Sequence, residues 1–549
     1  MRGNLVSSTV TACAAALALP FLATPTGATS GAVPGVTDGA SGPATSAPGA
    51  ARPHPAAVPG ATHSLPLVPL GPTRRAAGPG RPRAVARGLP PREVAPFSLV
   101  GIVWDDAARE LHGRAQVRTR AAGTAAWSRW QDVQTHDDDR PDLDSPEARG
   151  GSRRGSTAPL WVGASDAVQV RVRPAAVAGR SAETAALPSG LRIELVDPGK
   201  GPSGKGASSK GPSVKGPSGR GPAPRRPGTV RRAPSPPSEE ETAASAANYP
   251  LAPLGAVEIP AVGRPESEKD IKATRVDLTA ATDDRSGEDG HGDTDPDTDT
   301  PEGDTDSFPE VPPEALPENI PGTGTGTGTD TDTDTETDGD GVEPAVVHYV
   351  GPRPRIVTRA GWGADESLRE RGFAYTKTVR AAFAHHTASG NGYSCAQSAS
   401  VIRGIYRYHV VSSGWRDIGY NFLVDKCGTV YEGRAGGVAK PVRGAHTLGF
   451  NTNSMGIAVL GSFAKANPPA AVVNALARLT AWKLGLYGVN PLGNATLVSG
   501  GGNRYKKGTS VRLKVISGHR DGYVTECPGD RLYNRLGAAR AAAARLQGR

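Results

Sequence analysis

Large aromatic side chains are scarce in this 549-residue chain: Trp, Tyr and Phe together make up 5%. Aromatics dominate core burial, so long stretches without them cannot offset the entropy of ordering a backbone. All seven Trp fall in two windows, Trp104 to Trp161 and Trp362 to Trp482, which marks two folded regions. Long apolar runs are also missing. Beyond the first 23 residues none approaches the ~20 apolar residues of a membrane span. Between Lys200 and Ser238 there is no acidic residue at all. That stretch has no interleaved aromatics and no folded motif, so nucleic acid is not an expected partner. Finally, no HExxH helix is present, which removes the commonest zinc-hydrolase signature.

What is present divides the chain into five parts. Residues 1–28 read as a secretory signal: Arg2, an apolar stretch from Ala12 to Ala23, and small residues at Thr26-Gly27-Ala28. Val10-Thr11-Ala12-Cys13 resembles a lipoprotein box, but few apolar residues precede Cys13 and the hydrophobic run continues past it. Residues 29–95 are Ala/Pro/Gly-rich without periodicity and read as a disordered leader. Residues 96–198 hold short alternating segments such as SLVGIVW, VQVRVRP and LRIELV, the pattern of a small β-sandwich-like domain. No His, Cys or paired-acid cluster there suggests catalysis, so a binding or spacer module is expected. Residues 199–345 form a low-complexity linker. It opens with the repeat GPSGK-GASSK-GPSVK-GPSGR from Gly201 to Arg220 and closes with the acidic run from Thr329 to Asp340. The net charge of +9 therefore hides segments of opposite sign, which read first as solvated, self-repelling linker.

Residues 346–549 mix strand and helix patterns. VRAAFAHHT reads as a strand ending at His385, and Ala396 to Val410 as a helix with Val401, Ile402, Ile405 and Tyr408 at helical spacing. Tyr420 to Arg434 reads as a hairpin, MGIAVLGSF as a buried strand, Ala470 to Lys483 and Asp530 to Leu546 as helices. RLKVISGHR delivers His519 to a strand end. The expected fold is a mixed central β-sheet flanked by helices.

Adjacent residues of a strand point to opposite faces, so only one of His385 and His386 can enter a given site. His519 and Cys527 are eight apart across a Gly-containing loop that can fold both onto one ion. Two imidazoles and one thiolate fill three positions of a tetrahedral zinc and leave the fourth open, the arrangement of a catalytic site. From the residues alone, a core histidine and a buried thiol remain the alternative.

The motifs PRIVTRAGWGADES, FAHHTA, GWRDIGYNFLVD, YEGRAGG, GAHTLGFNTNSMGIAVLG and GHRDGYVTECPGDRLY occur in that order between Pro352 and Leu536. Together they resemble the peptidoglycan recognition protein / type 2 N-acetylmuramoyl-L-alanine amidase family. The resemblance implies a zinc ion held by His385, His519 and Cys527, with Tyr420 and Thr525 as catalytic residues. It implies hydrolysis of the amide joining MurNAc to L-alanine in peptidoglycan, with Tyr420 donating to the developing oxyanion and Thr525 positioning water or carbonyl. Members that only bind peptidoglycan typically lack the cysteine; this chain retains it. His446, Asn451 and Arg434 match the substrate groove, with a supporting hydrogen-bond role the alternative for His446. Glu432 fits better as a structural partner of Arg434 or the backbone than as a general base. His386 and His409 read as internal. The segment Arg434–Gly444 departs from the animal members in length and residues, so their selectivity between diaminopimelate and lysine stems does not carry over.

Removing Cys13 with the signal leaves three cysteines. One metal thiolate, Cys527, and a Cys395–Cys427 disulfide account for that odd number, with two buried thiols the alternative. The reading is thus a secreted, cell-wall-associated zinc amidase whose Lys/Arg repeat could contact anionic wall polymers. Two competitors are a protein that holds peptidoglycan without cutting it and a hydrolase of a bond within the stem peptide.

Overall fold

Apolar alternation along VQVRVRP and LRIELV places these segments in a sheet. The computed structural model describes residues 59–71, 85–135, 139–149, 153–176, 186–201, 236–276 and 348–549. The signal segment, the body of the Lys/Arg repeat and the acidic run lie outside the described residues. The first domain is one antiparallel network ordered Ala61–Pro66, Arg192–Asp197, Arg87–Trp104, Leu160–Pro174, Gly113–Ala121, Gln131–Val133. Val68–Pro69 and Gly155–Ser156 add short pairings to Arg87–Trp104.

One sequence expectation differs here. The domain begins at Ala61 rather than 96, because the strand at the sheet's edge tolerates the prolines that broke the alternation. The strands of this sandwich-like domain are joined in one hydrogen-bonded network. Its pairing of Arg87–Trp104 with Leu160–Pro174 shifts register between Leu89 and Arg92, Glu93 and Phe97, and Phe97 and Leu99. Such bulges bend a strand while keeping it in the ladder.

Beyond the bulges, alternate residues serve two cores. Val100 and Ile102 pack with Val117, Val168, Val170, Ile193 and Leu195 inside the β domain. Leu99 and Val103 face the other way, joining Trp161 and Val196 against Val401, Ile402 and Ile405 of the helix Ser398–Arg407. Between them Gly101 lets the Tyr408 ring approach; a Cβ there would sit 2.3 Å from that ring. The Tyr408 hydroxyl donates to Thr157 O at 3.0 Å.

The second domain has a mixed seven-stranded sheet, ordered Ile516–Gly518, Ala381–His386, Ser454–Val459, Phe422–Val424, Val430–Glu432, Ile356–Val357, Glu258–Ile259. Its central strands are parallel and buried on both faces, which explains their near-continuous apolar runs. Phe422, Val424, Met455 and Ile457 meet the helices Ala470–Gly485 and Leu536–Gln547 on one side. Leu423, Ala458 and Leu460 meet Ser398–Arg407 on the other. That helix therefore lies between the two sheets. Each of the larger of these side chains contributes about 1.5–3 kcal/mol on full burial.

The linker expected over 199–345 is folded from 236 to 276. Glu239–Ala246 is a helix closed by a Ser238–Glu241 capping box, and Glu258–Ile259 is the edge strand of the second sheet. A two-residue strand carries no readable periodicity, and polar contacts hold the segment in place. Asp270 accepts from Arg353 at 2.8 Å and from the Trp482 indole at 3.0 Å.

Candidate functional site

Parallel pairing decides where the histidines emerge. Ala384 lies opposite Gly518, so His385 and His519 leave neighbouring strand ends on the same side of the sheet. Cys527 returns from the following loop; its backbone N–H donates to Thr525 Oγ1 at 3.2 Å. Ligand atoms of His385, His519 and Cys527 lie within 4.8 Å of one another, and all three residues are fully buried. The Thr447 hydroxyl lies 3.3 Å from His385 Nε2, holding the ring so that Nδ1 faces the cluster. The backbone N–H of His386 donates to Cys527 Sγ at 3.4 Å. Neither ring nitrogen of His519 makes a hydrogen bond although both are buried. Two imidazoles and a thiolate aimed at one point, with a polar side chain steadying one ring, fit a zinc-type cation.

A fourth side chain enters from the β domain. Asp139 Oδ1 is 2.9 Å from His385 Nδ1 and 3.1 Å from His519 Nδ1, while Oδ2 accepts from the Tyr420 hydroxyl at 2.7 Å. Burial would raise the Asp139 carboxyl, but the two imidazoles outweigh it and hold the group well below its usual value. Farther out, Asp142 Oδ1 accepts from Asn451 Nδ2 at 2.8 Å and from the Gly449 N–H at 2.7 Å. Glu147 takes both terminal nitrogens of Arg434 at 2.8 and 2.9 Å and the Arg416 N–H at 3.1 Å. The Arg434 Nε–H donates to Ile418 O at 2.9 Å.

With that geometry in place, comparison with known proteins is informative. Residues 375–530 match the N-acetylmuramoyl-L-alanine amidase family. Peptidoglycan-recognition protein SC2 of Drosophila simulans is 30% identical over 184 residues, 33% of this chain and 84% of that protein. The chain belongs to the peptidoglycan recognition protein / type 2 N-acetylmuramoyl-L-alanine amidase family. A second relative, the N-acetylmuramoyl-L-alanine amidase of Homo sapiens, is 31% identical over 185 residues, 33% of this chain and 28% of that protein. Among solved structures, Drosophila PGRP-LB wild-type aligns with 26% identity, 33% of this chain, 92% of that chain and a TM-score of 0.27. Residues 48–190 match a different family, described as Rv3811 N-terminal galactose-binding domain-like.

Within this amidase-family domain the expected residues separate into groups. His385, His519, Cys527 and Tyr420 meet at one centre. Thr525 is half-buried and lines an open cleft with Tyr523, Arg520 and Lys465. Arg434 and Asn451 lie on the same side but are engaged by the β domain rather than exposed to a groove. His446 is fully enclosed. Its Nδ1 lies 3.0 Å from Thr447 Oγ1, its ring centroid is 5.2 Å from that of His385, and burial holds its imidazole well below the usual value. Asn451 Oδ1 accepts from the N–H groups of His446 and Thr447 at 2.7 and 3.0 Å, so it also shapes the loop behind His385.

His386 accepts from the Phe463 N–H at 3.3 Å. His409 accepts from the Gly419 N–H at 3.2 Å and lies against Trp415. Glu432 accepts from Asn248 at 2.7 Å and from the Arg359 N–H at 3.1 Å, and burial pushes its carboxyl up to about 7. Its partners are thus Asn248 and Arg359 rather than Arg434. The sulfurs of Cys395 and Cys427 are 1.99 Å apart. Sequence reasoning missed Asp139, Asp142 and Glu147. Their signal was the acidic density of DDDRPDLDSPE, an isolated patch in a domain otherwise rich in arginine.

Proposed function

We propose that this chain is a peptidoglycan amidase, specifically a zinc-dependent N-acetylmuramoyl-L-alanine amidase exported to the cell wall. The observation that carries the reading is the convergence of His385, His519 and Cys527 on one buried point, with the Tyr420 hydroxyl pointing at the same place. Zinc bound by these three residues would supply Lewis acidity toward a carbonyl oxygen and toward water. The protein's own groups do the rest. Tyr420 is a buried phenol whose hydroxyl can donate to an oxygen as negative charge develops on it, where a low dielectric makes that bond strong. Thr447 fixes the His385 ring, and the His386 N–H stabilises sulfur as thiolate. Thr525, at the mouth of the cleft, is suited to orient the lactyl-amide.

Export is supported by the signal-like first 28 residues, and no helix among the described residues is long and apolar enough to cross a membrane. The Lys/Arg repeat would add non-specific attraction to anionic wall polymers. A second reading, peptidoglycan recognition without cleavage, is favoured by one observation: Asp139 already occupies the centre.

Purified peptidoglycan digested with the whole chain, as wild type and as Asp139→Ala, decides between them. Free stem peptides beginning with L-alanine, abolished by chelator and by Cys527→Ser, are the expected products. Retention of peptidoglycan without any cleavage by either protein would overturn the amidase reading in favour of recognition.

A further inference from the structure

Asp139, Asp142, Asp144 and Glu147 lie within nine consecutive residues, and each meets the other domain. Asp139 reaches the two imidazoles and Tyr420. Asp142 takes Asn451 and the Gly449 N–H, and Asp144 pairs with Lys507 at 2.6 Å. Glu147 neutralises the buried Arg434 from within a helical turn, Pro146–Arg149. Arg140 adds its carbonyl, which accepts from Asn451 at 3.0 Å. The strap from Asp139 to Arg149 thus covers Tyr420, Arg434 and Asn451, three residues that a substrate would have to reach.

The chemistry of the centre gives the strap its meaning. A catalytic zinc keeps one position open, whereas a structural zinc is closed by four protein ligands. A carboxylate oxygen equidistant, within 0.2 Å, from two ligand nitrogens stands where that open position would be. We propose that Asp139 is the fourth ligand of this centre, delivered by a strap that fills the groove, so that the chain in this conformation is a closed and latent form. The inference rests on the metal reading above. A stem peptide carries carboxylates of its own, so strap and substrate compete for the same cationic and amide donors. Opening requires the strap to leave as a unit, because Glu147 and Asp142 anchor it at two separate points, Arg434 and the Gly449–Asn451 loop.

The test uses the full chain loaded with cobalt(II) in place of zinc. Azide is the probe of an open coordination position, and muramyl dipeptide is the probe of the groove. Wild type should show the cobalt–thiolate absorption band and no spectral change with azide. Asp139→Ala should keep the band and shift its visible absorption with azide. Glu147→Ala, which touches no metal ligand, should bind muramyl dipeptide at least about tenfold more tightly than wild type by calorimetry, as expected when a closed state is depopulated. Circular dichroism checks that both variants fold. An azide response in wild type equal to that of Asp139→Ala overturns Asp139 as a ligand while leaving the metal site standing. Equal muramyl dipeptide affinity in wild type and Glu147→Ala overturns the strap as a competitor. Absence of the thiolate band from every protein sinks the metal reading itself, and Asp139 as a ligand with it.

Discussion

Asn248 donates its side-chain N–H to Glu432 over 2.7 Å, across 184 residues of sequence, with both groups buried. The contact joins a segment that reads as linker to an inner strand of the second sheet, Val430–Glu432. Glu432 also has a carboxyl that burial pushes up to about 7 from an ordinary 4.5.

That shift makes stability depend on pH. A carboxyl raised on folding favours the folded state most strongly below about pH 4.5, and the advantage is lost as pH rises through about 7. The loss amounts to roughly 3 kcal/mol between those limits. Glu432→Gln cannot ionise, so its urea-unfolding free energy should lack this decline. An identical pH slope in the two proteins would disprove the assignment.

On the proposed zinc reading, Thr447 steadies His385 through Nε2, the ring nitrogen facing away from the cluster. Removing such a partner from a metal-ligating histidine typically costs 10–100-fold in affinity. Thr447→Val keeps the shape and removes the hydroxyl, so zinc affinity measured by competition with a chromophoric chelator should fall by about that range. Unchanged affinity would mean that the ring is held by packing alone.

The Cys395–Cys427 pair spans 32 residues. Closing a loop of that length removes roughly 3–4 kcal/mol of unfolded-state entropy. The double substitution Cys395→Ser, Cys427→Ser should lower stability by about that amount in chemical unfolding. Wild type treated with reductant should match it.

Gly101 of the first sheet lies directly against the Tyr408 ring. Gly101→Ala should destabilise by about 1–3 kcal/mol through overpacking. A Tyr408→Leu change should recover part of the loss if the ring is the obstacle, a coupling that a double-mutant cycle measures.

Much of the second domain was legible because its signals are local. The strand read as ending at His385 runs one residue further, Ala381–His386, and follows an apolar run; the hairpin of Phe422–Val424 and Val430–Glu432 follows its Gly-containing turn, and the helix Ala470–Gly485 its apolar spacing. The helix read as Ala396 to Val410 instead stops at Arg407 and passes into a wider turn, Tyr408–Ser412. The single helix read over Asp530 to Leu546 is interrupted after Tyr533. Asp139 was illegible for a different reason. It has no ligand spacing to any neighbour, and its partner His519 is 380 positions away, so only the folded chain joins them. Arg434 was assigned to substrate because its residue type suits a carboxylate, and the carboxylate it meets is Glu147.

The two-residue edge strand Glu258–Ile259 has a practical consequence for anyone dissecting the chain. A fragment cut at residue 346, where the sequence suggests a domain boundary, would leave the outer ladder of Ile356–Val357 without its partner. It would also strip Asn248 from Glu432 and Asp270 from Arg353 and Trp482. An uncovered ladder invites pairing with another chain. Such a fragment should pair through that edge and aggregate more readily than one beginning near residue 236, which keeps the edge strand: the amidase-family unit starts about a hundred residues before its recognisable sequence.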